Sequence, residues 1–306
     1  MSPRVVFMGT PDFAVPILEK LIQEIKVEGV IAQPDRPSGR GKKIHKPPIK
    51  LIAESFDLDI YQPSSVNTTE SLEKIKSWNP EIIIVAAFGQ ILKPEILELP
   101  PFGCINVHAS LLPRWRGAAP VNAAILQGDK KTGITIMKMG EGLDDGPILN
   151  QKAVDIYPDD TAGSLSHRLA SLGADLIVKT IPPLMKGKIS PQPQDHSQAT
   201  YAPRLNKKDG LLDFKQPAAL LARKVRAFSP WPGTYTNWGE QRLLIHQATS
   251  ASVTSPGPGV FTIYEGKPAI GTSECILVLN SLQAAGKRKL SGQEFLLGSP
   301  NWTDQK

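Results

Sequence analysis

The sequence predicts an α/β protein in which an open, mostly parallel sheet is followed by a second, smaller β-barrel domain. Three observations carry this. Short apolar runs alternate with helical repeats as far as about residue 186, a Pro-, Gln- and Ser-rich stretch then interrupts the pattern, and short β-like runs broken by Gly and Pro fill the remainder. At 306 residues the chain exceeds one ordinary domain, which fits the division.

The elements follow in order. Residues 4–8 read as a buried strand, Gly9-Thr10-Pro11-Asp12 as a turn, 13–25 as an amphipathic helix and 27–33 as a second strand, which together make a β-α-β unit. Helices are expected near 49–56 and 68–78, with strands near 59–61, 81–88 and 103–107, then a helix over 118–127 and a strand over 133–139. Strands alternating with helices argue for a sheet covered on both faces, the Rossmann-like arrangement. The first turn lacks the second and third glycines that let a pyrophosphate approach the backbone, which argues against a dinucleotide ligand. A helix over 161–186 closes this domain, 1–188. Residues 187–209, with Pro191, Pro193 and Pro203, read as an extended linker, placed at 189–208. A helix at 216–228 opens the C-terminal domain, 209–306, and the short strands beyond Pro230-Trp231-Pro232-Gly233 suit a small barrel.

The net charge of +6 is uneven: residues 1–200 hold 22 Lys and Arg against 22 Asp and Glu, and residues 201–306 hold 13 against 7. The surplus therefore lies in the C-terminal third, which favours a polyanionic partner. Two distant cysteines in apolar settings, Cys104 and Cys275, argue against a disulfide framework and against zinc, and fit a reducing cytoplasm. The chain enters a strand at once, leaving no room for a signal peptide, and its longest apolar run, 82–88, is too short to span a bilayer, so a soluble protein with no membrane partner is expected.

The segment from Gly103 to Pro120 carries the chemistry. Asn106 and His108 stand two residues apart at the end of a strand, so both heads point to one side where the strand meets its loop. An amide that polarises a carbonyl oxygen beside an imidazole that handles a proton suits an active site; satisfying local backbone groups is the plain alternative. The glycine-rich Gly140-Glu141-Gly142-Leu143-Asp144-Asp145-Gly146-Pro147 supplies either turn chemistry or a carboxylate that orients the imidazole. After the second strand, Asp35 and five cations, Arg36, Arg40, Lys42, Lys43 and Lys46, occupy a Gly/Pro loop. Such a loop stays solvated and mobile until it meets an anion, and reads as either a solvated charge run or a grip on nucleic acid.

Gly9-Thr10-Pro11-Asp12-Phe13, Gln33-Pro34-Asp35-Arg36-Pro37 with Gly39-Arg40-Gly41-Lys42-Lys43, Asn106-Val107-His108, Ser110-Leu111-Leu112-Pro113-Arg114, Arg116-Gly117-Ala118-Ala119-Pro120, Gly142-Leu143-Asp144, and Arg226-Ala227-Phe228 with Pro230-Trp231-Pro232 together resemble the bacterial methionyl-tRNA formyltransferases. The matches run in order from residue 9 to about residue 290. The resemblance implies transfer of a formyl group from 10-formyltetrahydrofolate, as donor co-substrate, to the amino group of methionine on initiator methionyl-tRNA, releasing tetrahydrofolate. It implies a Rossmann-like catalytic domain, a C-terminal domain like an oligonucleotide-binding barrel, and a monomer. By motif, Asn106, His108 and Asp144 would be catalytic, Ser110, Leu111, Leu112 and Pro113 would line the folate site, and Arg36, Arg40, Lys42, Lys43 and Lys46 would grip the tRNA acceptor arm. Asp145 departs from the family, where a threonine is common, and leaves the local protonation pattern open.

Formyl transfer between nitrogens passes through a tetrahedral adduct with a charged oxygen, and the leaving folate nitrogen gains a proton. Neither step requires a metal. A formyltransferase acting on a small amine, such as an amino-sugar nucleotide, would share Asn106, His108 and Asp144 without needing the basic loop or the basic barrel. A non-catalytic nucleic-acid-binding protein would leave the three residues idle.

Overall fold

The computed structural model describes residues 3–38 and 43–304. They form two compact units, Met1–Gly117 with Thr132–Val154 and Ser166–Tyr201, and Ala118–Lys131 with Asp155–Leu165 and Ala202–Lys306.

In the first unit, strands β1 (Val5–Gly9), β2 (Val27–Ile31), β3 (Ile60–Tyr61), β4 (Ile82–Ala86), β5 (Cys104–His108), β6 (Lys131–Lys138) and β7 (Ile148–Asp155) lie in the order β7-β6-β5-β4-β1-β2-β3. Pairing is parallel from β5 to β3, while β6 runs antiparallel to β5. The central strands β1 and β4 are fully buried, which is why they read as continuous apolar runs. β7 was not expected. Its residues are largely exposed along an edge, so neither a continuous run nor a clean alternation marks it.

Helices start where their sequences direct. In α1 (Val15–Glu24) Pro16 occupies the first turn, where no intrahelical donor is lost, and Ile17, Leu18 and Leu21 face the core. Helix α2 (Pro48–Ser55) begins the same way. Helix α3 (Thr69–Ser77) is capped by Thr68, whose hydroxyl accepts from the Ser71 amide at 3.1 Å. Trp78, just past its end, packs so close to Gly29 in β2 that a Cβ there would enter the indole. Val6, Met8, Ile83, Val85, Ile75 and Trp78 share one core cluster.

Helices α4 (Pro120–Gln127) and α6 (Ala218–Ala227) pack together in the second unit, where Asn122 Nδ2 donates to the Ala227 carbonyl at 2.6 Å and Arg223 Nε to that of Leu126 at 3.0 Å. Between them in sequence, α5 (Ala162–Met185) runs through both sets of segments, and its Gly173 comes so close to β5 that a Cβ would stand 2.8 Å from Val107 Cγ1.

The second unit's sheet is antiparallel. Its strands β8 (Thr234–Trp238), β9 (Gln241–Ala251), β10 (Phe261–Tyr264), β11 (Lys267–Gly271) and β12 (Ile276–Ala284) lie in the order β8-β9-β12-β11-β10, with Leu290–Ser291 paired to β12. Trp302 is buried in its core, where its ring packs against Trp238, Phe261 and Phe295 and its Nε1 donates to the Thr262 carbonyl at 2.7 Å.

Candidate active site

The site is built at the carboxyl end of β5. Strand alternation places Asn106 and His108 on one side, and both are buried, 9% and 6% exposed. His108 Nε2 lies 2.9 Å from the Trp115 carbonyl. A carbonyl only accepts, so Nε2 carries the proton of the neutral ring and Nδ1 is left facing Asp144 Oδ2 at 3.7 Å. Asp144 Oδ1 accepts from Asn106 Nδ2 at 3.4 Å, and Oδ2 accepts from the Gly117 amide at 2.8 Å. One carboxylate thus touches the amide, the imidazole and a main-chain donor. Asp145 does not share these contacts. Its carboxylate lies over Gly140 and Gly142, where a Cβ on Gly142 would run into it.

Asp144 reaches the site by an indirect route. Because β6 runs antiparallel to β5, with His108 opposite Thr135 and Ile105 opposite Lys138, the chain leaves β6 at the far end of β5. There the Met139 amide donates to the Cys104 carbonyl at 2.8 Å, and the loop turns back toward Asn106, its mouth closed by the Lys138 amide on the Pro147 carbonyl at 3.0 Å. Asp144 holds φ of 47°, left-handed backbone that aspartate tolerates better than most residues.

Ser110, Leu111, Leu112 and Pro113 form a turn pinned by one side chain of β6. Thr135 Oγ1 donates to the Ser110 carbonyl at 2.6 Å and accepts from the Leu112 amide at 3.1 Å and from Gln151 Nε2 at 2.8 Å. The Ser110 hydroxyl is buried and committed to the Arg114 carbonyl at 2.6 Å, and the Leu112 side chain is also buried. Leu111 and Pro113 are the half-buried members of the turn. Burial pushes the Cys104 thiol up to about 12, so it holds no thiolate and supplies no nucleophile at neutral pH.

The described flanks of the basic loop, residues 36–38 and 43–46, make local contacts. Arg36–Ser38 and Lys43–His45 pair antiparallel, Arg36 Nη2 donates to Gln33 Oε1 at 2.9 Å, and Lys46 Nζ meets Glu54 at 2.8 Å. These residues remain exposed while making the contacts, whose partners Glu54 and Gln33 lie outside the run of charges. Arg40 and Lys42 lie outside the described residues. Gln33 also ties the loop to neighbouring strand ends, its Nε2 and Thr10 Oγ1 both donating to the Phe88 carbonyl, at 3.3 and 3.1 Å.

The linker also differs from its expected form. Gln192 forms a bridge with Ile148, residues 196–198 make a 3₁₀ turn, and Gln194 is buried with its carboxamide against the loop that carries Asp144. Sequence reasoning missed Gln194, Arg116 and Thr135, because each acts on partners distant in sequence that no local pattern announces. Among the described residues no group of three or more His, Cys, Asp or Glu is placed to hold a metal ion.

Residues 3–181 match the formyl transferase family model, and residues 204–300 match the model for the formyl transferase C-terminal domain. The chain is 44% identical to the methionyl-tRNA formyltransferase of Trichlorobacter lovleyi over 97% of its own length and 94% of that protein, and 44% identical to that of Bacillus subtilis over 97% and 95%. Among solved structures it resembles WlaRD, a sugar 3N-formyl transferase solved in the presence of dTDP and 5-N-formyl-THF, with TM-score 0.67 and 19% identity over 94% of this chain and 100% of that one. It also resembles HypX from Aquifex aeolicus in complex with tetrahydrofolic acid, with TM-score 0.63 and 15% identity, covering 98% of this chain; this chain spans about half of that longer protein, 48%. The methionyl-tRNA formyltransferase from Clostridium thermocellum gives 0.57 at 20% identity over 90% of this chain and 99% of that one. The structural likenesses speak to the fold, and the full-length sequence identity speaks to membership: this chain belongs to the methionyl-tRNA formyltransferases.

Proposed function

We propose that the chain transfers the formyl group of 10-formyltetrahydrofolate to the α-amino group of methionine on initiator methionyl-tRNA, releasing tetrahydrofolate and formylmethionyl-tRNA for translation initiation. The observation that carries this reading is the convergence of Asn106, His108 and Asp144 in a chain 44% identical over nearly its whole length to proteins of that name.

The neutral amine attacks the formyl carbon, its nitrogen gives up a proton, and the bond from that carbon to the folate nitrogen breaks as the folate nitrogen gains one. Asn106 uses one N–H on Asp144 and has a second to offer the oxygen that becomes charged in the adduct. When His108 is protonated, its Nδ1–H stays toward the Asp144 carboxylate, which stabilises the cation, and its Nε2–H exchanges the Trp115 carbonyl for the oxyanion or for the leaving nitrogen, to which it supplies the proton. Water held by Asp144 accepts the proton of the amine.

Residues Ser110, Leu111, Leu112 and Pro113 line the folate site in this reading, with Leu111, Pro113 and main-chain atoms as the reachable parts of the turn. Arg36, Arg40, Lys42, Lys43 and Lys46 grip the acceptor arm. Residues 1–188 form the catalytic domain, 209–306 a barrel that takes tRNA phosphates on its basic surface, and 189–208 the link. The enzyme works in the cytoplasm as a monomer; no described helix is long and apolar enough to cross a membrane. A formylation assay with labelled donor tests the assignment, with methionyl initiator tRNA compared against free methionine and an amino-sugar nucleotide. Formylation of the tRNA is expected. Formylation of the sugar nucleotide alone would establish the small-amine reading instead.

A further inference from the structure

Gln194 lies in the segment expected to be a plain linker, yet its side chain is 6% exposed and fully engaged. Its Nε2 donates to the Asp144 carbonyl at 2.8 Å and to the Gly146 carbonyl at 2.7 Å. Its Oε1 accepts from Arg116 Nε at 3.1 Å and Nη2 at 2.7 Å. Both N–H groups and both lone pairs of the carboxamide are thus used, an arrangement only an amide can satisfy. Arg116 is 3% exposed, and its remaining nitrogen Nη1 lies 3.3 Å from His196 Nδ1.

The main-chain neighbours of Arg116 are the groups that touch the site. On one side the Trp115 carbonyl holds His108 Nε2, and on the other the Gly117 amide holds Asp144 Oδ2. Gln194 therefore closes a ring: it fixes the backbone of the loop bearing Asp144 to the side chain of the residue whose flanking peptide groups fix the imidazole and the carboxylate. The ring also explains how Asp144 keeps left-handed φ of 47°, a conformation that a non-glycine residue holds when its surroundings over-determine it.

We propose that Gln194 and Arg116 are positioning residues for formyl transfer, a clamp that holds the Asp144 carboxylate against His108 and Asn106 without touching substrate. The inference rests on the formyl-transfer reading above. Gln194→Glu is the sharpest probe. The new carboxylate keeps its pairing with Arg116 but offers no donor to the carbonyls of Asp144 and Gly146, so the loop is released while the buried cation stays satisfied.

The experiment measures kcat and both KM values on the full chain for the parent, Gln194→Glu, Arg116→Lys, Asp144→Asn and the double variant Gln194→Glu/Asp144→Asn, with thermal midpoints alongside. Gln194→Glu is expected to lower kcat by about 30-fold while both KM values stay within about threefold of the parent, because misplacement of a catalytic group costs rate rather than binding. Since Gln194 acts through Asp144, the double variant is expected within about threefold of Asp144→Asn alone. A Gln194→Glu enzyme with parental kcat, or a double variant in which the two losses multiply, overturns the clamp. Should Gln194→Glu fail to fold, Arg116→Lys, which loses the two-pronged donation to Oε1, replaces it in the same comparison. An inactive parent overturns the formyl-transfer reading and the clamp with it, whereas an active parent with an unimpaired Gln194→Glu overturns the clamp alone.

Discussion

Asp144→Asn isolates the charge at the centre of the site. Asparagine also tolerates left-handed backbone, so the loop keeps its φ of 47° and the variant is expected to fold. What changes is electrostatic. Asp144 Oδ2 stands 3.7 Å from His108 Nδ1, with the two side chains only 16% and 6% exposed, and two unit charges at that separation attract by about 4 kcal/mol at an effective dielectric constant near 20. The amide dipole and nearby water retain part of this. In addition, two carboxylate oxygens now accept from Gly117 and Asn106, and an asparagine has one acceptor for both donors. At about 1.4 kcal/mol per power of ten, the expected loss is roughly two to three powers of ten in the chemical step. Single-turnover formylation at saturating methionyl-tRNA and donor reads that step directly, and circular dichroism with a thermal melt checks the fold. A folded variant within about threefold of the parental rate would refute the claim that Asp144 supports a cationic His108 during transfer.

Asn106→Ala and His108→Ala are each expected to lower kcat by about two to three powers of ten with little change in thermal midpoint, whereas Asp145→Thr is expected to retain activity, since its carboxylate is outside the Asn106 and His108 contacts. A tetrahydrofolate analogue should protect residues 110–113 of the full chain from hydrogen exchange measured by mass spectrometry; protection confined to residues beyond 209 would refute the folate placement. Binding of tRNA should weaken steeply between low and moderate salt, and Arg40→Ala should slow single turnover at saturating tRNA as well as weaken binding, an unchanged rate marking the loop as a passive anchor. Hydrogen bonds from Lys50 Nζ and then Gln62 Nε2 hold the Asp35 carboxyl below its usual range. Because the folded value is the lower one, the resulting stability is complete above the unfolded value of about 4 and is lost as pH falls through the folded value, so denaturant melts of the parent and Asp35→Asn should converge as the medium is made progressively more acidic than that.

Most of the sheet was legible because burial on both faces leaves a continuous apolar run in β1 and β4, and helices α1 and α3 were legible from the periodicity of their apolar faces. β7 escaped because an exposed edge strand needs no such pattern. Within the site, Asn106 and His108 were readable from their spacing on one strand, and Asp144 only from the resemblance together with its glycine-rich loop. Gln194 was not readable at all, and Arg116 stood in a motif of the resemblance without any sign of its role. Their partners lie 78 residues apart in sequence, and a glutamine among Pro and Ser carries the composition of an unstructured segment whatever it binds. The basic loop was half legible: its charges were counted correctly, but Glu54, which takes up Lys46, sits on α2.

The return path of the loop between β6 and β7 has a consequence for how the protein tolerates change. Its two ends are stitched together at Lys138 and Pro147 and to β5 at Cys104, while its middle must deliver one carboxylate back along β5 to Asn106. Such a loop is measured from both ends, so its length is as fixed as its chemistry. A single inserted or deleted residue would carry Asp144 off target even with every side chain retained, and a Cβ on Gly146 would collide with the carbonyl of Lys138, the residue whose amide closes the mouth. Efforts to redirect this scaffold toward other amines by exchanging loops therefore have freedom elsewhere on the carboxyl edge of the sheet, but must transplant residues 139–147 whole or leave them alone.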